Sequence, residues 1–193
     1  MKKAAYGLIC ALLAVQTGVA KTSPEVQRIE AYCKTADAQM KRNPAAVRVF
    51  ADVSDATKDE ASKWREFKTK AEKQRTKTDS QISSSAKVWR RSGKLIIADF
   101  SMETPSGDWT QFITYYFRED GTLAKVDATL NTFHGNVRAH QSIFYDANGK
   151  VLDQTEQYSD LKTQRRLKGK PDFEDQPIPS YMNVRKLPFA SLL

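Results

Sequence analysis

The sequence predicts an α+β fold in which N-terminal helices pack on a curved antiparallel β-meander of about six strands. Three observations carry this. Apolar residues recur with helical periodicity early in the chain, glycines recur at a fixed step later in it, and the stretches between those glycines are rich in Ile, Val, Thr, Phe and Tyr.

Ahead of the fold, Met1 to Ala20 has the form of a secretory signal. Lys2 and Lys3 supply a positive start, Ala4 to Val15 an apolar run, and Gly18-Val19-Ala20 the small residues of a cleavage site. A retained anchor needs about 20 apolar residues in a row, and Gln16-Thr17 break this one. The expectation is a secreted or periplasmic chain with no transmembrane segment after cleavage. Cleavage also removes Cys10 and leaves Cys33 as the one thiol, so no intramolecular disulfide is expected and a hydrophobic core must hold the fold. Residues 21–193 suffice for one such core and are few for two. One domain is therefore expected: a helical part over 24–78, a meander over 86–160, and a basic, Pro-containing segment over 161–193.

The first helix has a marked start and stop. Ser23 is suited to the N-cap, Pro24 to the first helical position and Glu25 to the first turn, and Asn43-Pro44 ends the run. Val26, Ile29, Cys33, Ala36 and Met40 fall on one face, which places Cys33 in the core as a small buried hydrophobe.

Residues 44–55 fit two readings. Val47, Val49, Ala51 and Val53 alternate as in a strand, while Pro44-Ala45-Ala46 suits a helix start, and helix is preferred. Thr57-Lys58-Asp59-Glu60 has the form of a capping box, so a second long helix is expected from there to about residue 78. Ala61, Trp64, Phe67 or Lys68, and Ala71 would be its narrow apolar stripe. Lys63, Arg65, Lys68, Lys70, Lys73, Arg75 and Lys77 would make the rest of it strongly basic.

The most specific feature is a repeat of spacing. Trp89-x-x-x-Gly93-x-Leu95, Phe117-x-x-x-Gly121-x-Leu123 and Tyr145-x-x-x-Gly149-x-Val151 lie 28 residues apart, and Gly107 and Gly135 keep the same step between them. Chain reversals about every 14 residues with strands of roughly ten residues between them follow. The pattern fits a three-residue hairpin loop that ends on a left-handed glycine. Pairing Phe117 with Leu123 then sets Tyr116 opposite Ala124, Thr114 opposite Val126 and Phe112 opposite Ala128 on a core-facing side. Tyr115–Lys125, Ile113–Asp127 and Gln111–Thr129 fall on an amphipathic side. Beyond the meander, Val184, Leu187, Phe189, Leu192 and Leu193 form an apolar tail expected to pack back onto the body. Tyr145-Asp146-Ala147-Asn148-Gly149-Lys150-Val151 resembles one unit of the tyrosine–aspartate repeats of large bacterial cell-surface toxins; the resemblance spans seven residues, and no family or function is carried over from it.

Composition narrows function by exclusion. With 40% apolar and 28% charged residues, 8 Gly and 7 Pro, the chain is neither collagenous nor of low complexity. There is no G-x-S-x-G, no H-E-x-x-H and no S-x-x-K with its partner motifs. The two histidines, His134 and His140, replace Ser106 and Phe112 of the preceding copy, and with one thiol on a distant helix they do not make a zinc site, so no metal or cofactor is expected. Charge is uneven: residues 21–88 carry 15 basic and 10 acidic side chains, residues 89–160 carry 7 and 10, and residues 161–193 carry 7 and 3. A basic flank beside an acidic sheet, in an exported protein, suits an anionic envelope component or a protein partner, and the few aromatics within the basic run argue against nucleic acid.

The function read from these features is a non-enzymatic binding or interaction module. Phe112, Tyr115, Tyr116, Lys125, Val126 and Leu130 are the candidate ligand-binding residues, and no catalytic residue is assigned. A carrier for an apolar ligand is the first alternative and requires a cavity lined by Phe112, Tyr116, Val126 and Leu130. An enzyme of unrecognised type is the second, for which Tyr115, Asp127, His134 and His140 are the candidates.

Overall fold

The computed structural model describes residues 23–54, 61–68, 72 and 83–193. Among them, the α-helix α1 (Pro24–Arg42) precedes eight strands: β1 (Val47–Asp52), β2 (Trp64–Phe67), β3 (Ser84–Arg91), β4 (Lys94–Glu103), β5 (Trp109–Phe117), β6 (Leu123–Thr132), β7 (Val137–Tyr145) and β8 (Val151–Asp160). All eight form a single antiparallel sheet in the order β2-β1-β3-β4-β5-β6-β7-β8. The α+β class with an N-terminal helix is as expected, but among the described residues one long helix stands where helices were expected and eight strands where about six were.

Helix α1 begins and ends where its sequence signals lie. Ser23 Oγ accepts a hydrogen bond from Val26 N at 3.3 Å, Glu25 sits in the first turn, and Lys41 and Arg42 in the last complement the helix dipole. Pro44 stops it, and the Asn43 N–H closes onto Gln39 O and Met40 O. Val26, Ile29, Cys33 and Ala36 are buried against one face of the sheet, with Met40 packed at the margin. Burying each of the larger of these side chains contributes roughly 1.5–3 kcal/mol.

The expected helix over 44–55 is instead a short 3-10 turn, Pro44–Ala46, followed by strand β1. The alternation of Val47, Val49 and Ala51 prevails because β1 lies between β2 and β3, with Phe50 and Ala51 fully buried. The helix expected from Thr57 to about residue 78 is contradicted at Trp64–Phe67, which form β2 and pair with β1 from Asp52↔Trp64 to Val49↔Phe67. Arg65 lies over the Phe67 ring at 4.7 Å rather than on a solvated helix stripe. The capping box, Lys70, Lys73, Arg75 and Lys77 lie outside the described residues, as does the segment 1–20 read as an export signal.

Hairpin reversals fall at the expected glycines, with two corrections. Gly121 closes a loop in which Gly121 N donates to Arg118 O and Arg118 N to Thr122 O, at φ +84°, the left-handed conformation that this turn requires; the Gly149 loop repeats it. The first hairpin is tighter. Arg91 pairs directly with Lys94, so only Ser92 (φ +49°) and Gly93 (φ +79°) form the turn, two successive left-handed residues as in a type I′ hairpin.

The second correction concerns register. Phe117 faces Leu123 as expected, but Tyr116 faces Lys125, so Ala124 is an extra residue and every pair beyond it shifts by one. Tyr115 then opposes Val126 and Ile113 opposes Ala128, and the two expected faces exchange partners. The same bulge recurs in the other hairpins, leaving Ile96 and Leu152 as the extra residues. Ile96 with Ile97 and Ala124 with Lys125 thus place consecutive residues on the helix-bearing face.

Both faces of the sheet are covered in part. Helix α1 packs on Trp89, Ile96, Ile97, Tyr116, Ala124 and Phe144 near the hairpin turns. The opposite face, with Phe50, Phe100, Ile113, Tyr115, Phe117 and Val126, is covered by the C-terminal segment. Tyr115 Oη donates to Pro179 O at 2.7 Å, and Gln111 Nε2 to Gln176 O at 3.2 Å. Val184 N donates to Gly121 O, and Phe189 stacks on Phe50 with ring centres 4.6 Å apart. The apolar tail does pack back, led by Leu187 and Phe189; Leu192 is exposed.

Candidate binding site

Cross-strand pairing arranges the helix-bearing face in rows. Nearest the turns, Trp89, Ile97, Tyr116, Lys125, Phe144 and Asp153 stand side by side; the next row is Lys87, Asp99, Thr114, Asp127, Ser142 and Thr155; the third is Ser85, Ser101, Phe112, Thr129, His140 and Gln157. The first row is mostly apolar and lies under α1. The other two are polar apart from Phe112, a residue 43% exposed.

A chain of polar contacts links the covered row to the open ones. Lys125 Nζ lies 3.1 Å from Glu30 Oε1 on the helix, 2.8 Å from Asp127 Oδ2, and 4.9 Å from the Phe144 ring centre. Only 8% of the Lys125 side chain is exposed. Burial pulls the pKa of this ammonium down, but Asp127 and Glu30 outweigh it and hold the pKa above the ordinary lysine value. Ser142 Oγ donates to Asp127 Oδ1 at 2.5 Å and lies 3.5 Å from His140 Nε2, while His140 Nδ1 is 3.1 Å from Thr129 Oγ1.

Two half-buried carboxyls flank the chain. Burial raises the pKa of Asp37 although Tyr116 Oη donates to it at 3.1 and 3.2 Å, and burial raises that of Asp99 although Thr114 Oγ1 donates to it at 3.1 Å. Beside them, burial pushes the Cys33 thiol up to about 12.

Where the helix meets β7 and β8, an open cleft of about 550 Å³ is bordered by Glu30, Lys34, Ser142, Phe144, Asp153 and Thr155. It offers hydroxyls, carboxylates and one ammonium, so it can hold a polar group but supplies little apolar enclosure.

The six candidate residues divide between the two faces. Phe112, Tyr116 and Lys125 lie on the helix-bearing face; Tyr115, Val126 and Leu130 are buried on the other. The cavity that a carrier would need, lined by Phe112, Tyr116, Val126 and Leu130, would therefore have to draw on both sides of one sheet. Of the residues considered for catalysis, Asp127 and His140 meet through Ser142, Tyr115 is tied to Pro179, and His134 stands in the 3-10 turn before β7. Serine activation places the imidazole between hydroxyl and carboxylate. Here the Ser142 proton goes straight to Asp127 and His140 is held by Thr129. Among the described residues no group of three His, Cys, Asp or Glu side chains could hold a metal, and no helix is long and apolar enough to cross a membrane.

Ser142 and Glu30 were missed from sequence. Asp127 faces Ser142 only once the bulge at Ala124 is known, and no local signal pointed Glu30 at a lysine of the sheet. In comparison with known proteins, the chain matches no family model, no curated protein and no solved structure.

Proposed function

We propose that the protein is a secreted or periplasmic binding module whose contact surface is the open part of the helix-bearing face, and whose partner is a protein or an anionic component of the envelope. One observation carries the reading. Phe112, 43% exposed, stands between Ser101 and Thr129 in a row that continues to His140, on strands whose opposite face is packed by the C-terminal segment. An aromatic anchor ringed by hydrogen-bonding groups is the arrangement found at the centre of protein contacts. The export-signal form of residues 1–20 supports the location, and the tie of Ser142 to Asp127 favours binding over nucleophilic chemistry.

The test is site-specific photocrosslinking in the native envelope and culture fluid, with a photoreactive phenylalanine analogue at position 112 and, as control, at the exposed turn residue Asn148. A discrete adduct at 112 and none at 148 is expected. No adduct at 112, or the same adducts at both positions, overturns the reading.

A further inference from the structure

The three hairpins are alike in register at their turn ends, and one of them carries a residue of a different kind. Arg90 faces Leu95, Phe117 faces Leu123 and Tyr145 faces Val151. Each is the last pair before the bulge, on the face covered by the C-terminal segment. Where two hairpins place an aromatic ring, the first places a guanidinium.

A cation on an apolar wall needs a partner, because removing its charge from water is costly unless it is paired and hydrogen-bonded. Arg90 is half-buried, and among the described residues it has none. Its Nε is buried without a hydrogen-bond partner, and among the described residues Arg90 makes no ion pair or ring contact. The neighbouring Arg118 shows what an internally held arginine looks like here, since its guanidinium donates to the carbonyls of Leu123, Tyr145 and Asp146.

Arg90 borders a cleft of about 510 Å³ whose wall also includes Lys94, Gly121, Asn183, Arg185 and Ser191. Arg185 likewise makes no ion pair among the described residues. Asn183 Oδ1 accepts from Arg185 N at 3.0 Å, which occupies the acceptor end of that amide and leaves its donor end. Two acids also line the cleft, and both are engaged. Glu119 takes Arg91 at 2.9 Å and Lys94 at 3.4 Å, and Asp120 closes its own turn on Thr122 N at 2.9 Å and Thr122 Oγ1 at 2.7 Å. Of the polar side chains on the wall, what remains is two guanidinium groups, an amide and the Ser191 hydroxyl, all able to donate.

We propose that this cleft binds an oxyanion, the phosphate or carboxylate group of a ligand, with Arg90 as its principal partner and Arg185 as the second. A guanidinium presents paired N–H donors that match two oxygens of either group. The site lies on the face opposite the surface assigned above and does not depend on that assignment.

The test titrates ¹⁵N-labelled protein with sodium phosphate and separately with sodium acetate at constant ionic strength, following the Nε–H resonance of Arg90 in the native protein and the backbone amides of Gly121 and Asn183, which border the same cleft, in the native protein and both variants. A saturable shift below ~10 mM is expected for at least one of the two anions, weakened at least about tenfold by Arg90→Gln and severalfold by Arg185→Gln. No saturable shift with either anion overturns the proposal, as does an Arg90→Gln protein that titrates like the native one. The native resonance reads the site without any substitution, and Arg185 is exposed, so failure of Arg90→Gln to fold leaves the test intact. Unchanged affinity in Arg185→Gln removes the second partner and overturns the proposal in that form.

Discussion

Glu30 and Lys125 are 95 residues apart in the chain and meet at 3.1 Å, joining the one described α-helix to the sixth strand of the sheet through a cation that also touches Asp127. Because the ammonium is nearly enclosed, removing it leaves Asp127 facing Ser142 with its main counter-charge gone. Lys125→Ala is expected to destabilise the protein by about 3 kcal/mol, and Lys125→Met by less because its chain fills the same space. Glu30 is more exposed, so Glu30→Gln should cost less than about 1 kcal/mol. Urea midpoints measure all three, and a Lys125→Ala protein as stable as the native one would show that the ion cluster does not hold the helix.

Asp99 gives a pH dependence of defined sign. A carboxyl whose pKa is raised on folding contributes stability below its unfolded pKa and loses it as pH climbs through the folded value. Ionised Asp99 is therefore unfavourable at neutral pH, with burial as the cause and with Lys87 and the Thr114 hydroxyl only partly offsetting it. Asp99→Asn should be more stable than the native protein at about pH 7, and the difference should vanish by about pH 3, where both side chains are neutral. Paired denaturation curves at the two pH values decide it; a constant difference would place the effect elsewhere.

Gly107 and Gly135 share nearly the same φ, +76° and +77°, but differ in surroundings. A Cβ at Gly107 meets nothing within 4 Å, whereas one at Gly135 would stand 2.6 Å from Asp172 O. Gly107→Ala should cost about 1 kcal/mol from the backbone conformation alone, and Gly135→Ala clearly more. Equal thermal shifts in the two variants would show that the 172–173 segment does not rest on that turn.

Cys33 should be inert in the folded protein. With its pKa near 12, roughly one thiol in ten thousand is ionised at about pH 8, and the side chain is buried besides. Mass spectrometry of the Cys33 peptide after iodoacetamide treatment should show alkylation in denaturant and none without it. Rapid native alkylation would mean that α1 opens readily.

Signals that act over a few residues were legible in the sequence. Ser23, Pro24 and Asn43 bound the helix, the glycines at a 28-residue step mark the reversals, and Val26, Ile29, Cys33 and Ala36 form the buried stripe. Signals set by partners elsewhere were not. Trp64–Phe67 has a helix-compatible pattern and becomes a strand because β1 offers it an edge. One unpaired residue, Ala124, exchanges the two faces of β5 against β6, and with them the grouping of Tyr115, Tyr116, Lys125 and Val126. The candidate list thus mixed residues of two surfaces. Glu30 and Ser142 complete the polar chain through contacts that no local spacing encodes.

The stacking of Phe50 on Phe189 sets an order of events for biosynthesis. Ring 50 leaves the ribosome long before ring 189 is made, and Phe100, Tyr115 and Trp64 also wait for residues of the C-terminal segment. A nascent chain short of that segment has all the residues of its helix-side core but still exposes an aromatic sheet face. Closure of that second face therefore follows synthesis of the last residues rather than accompanying it.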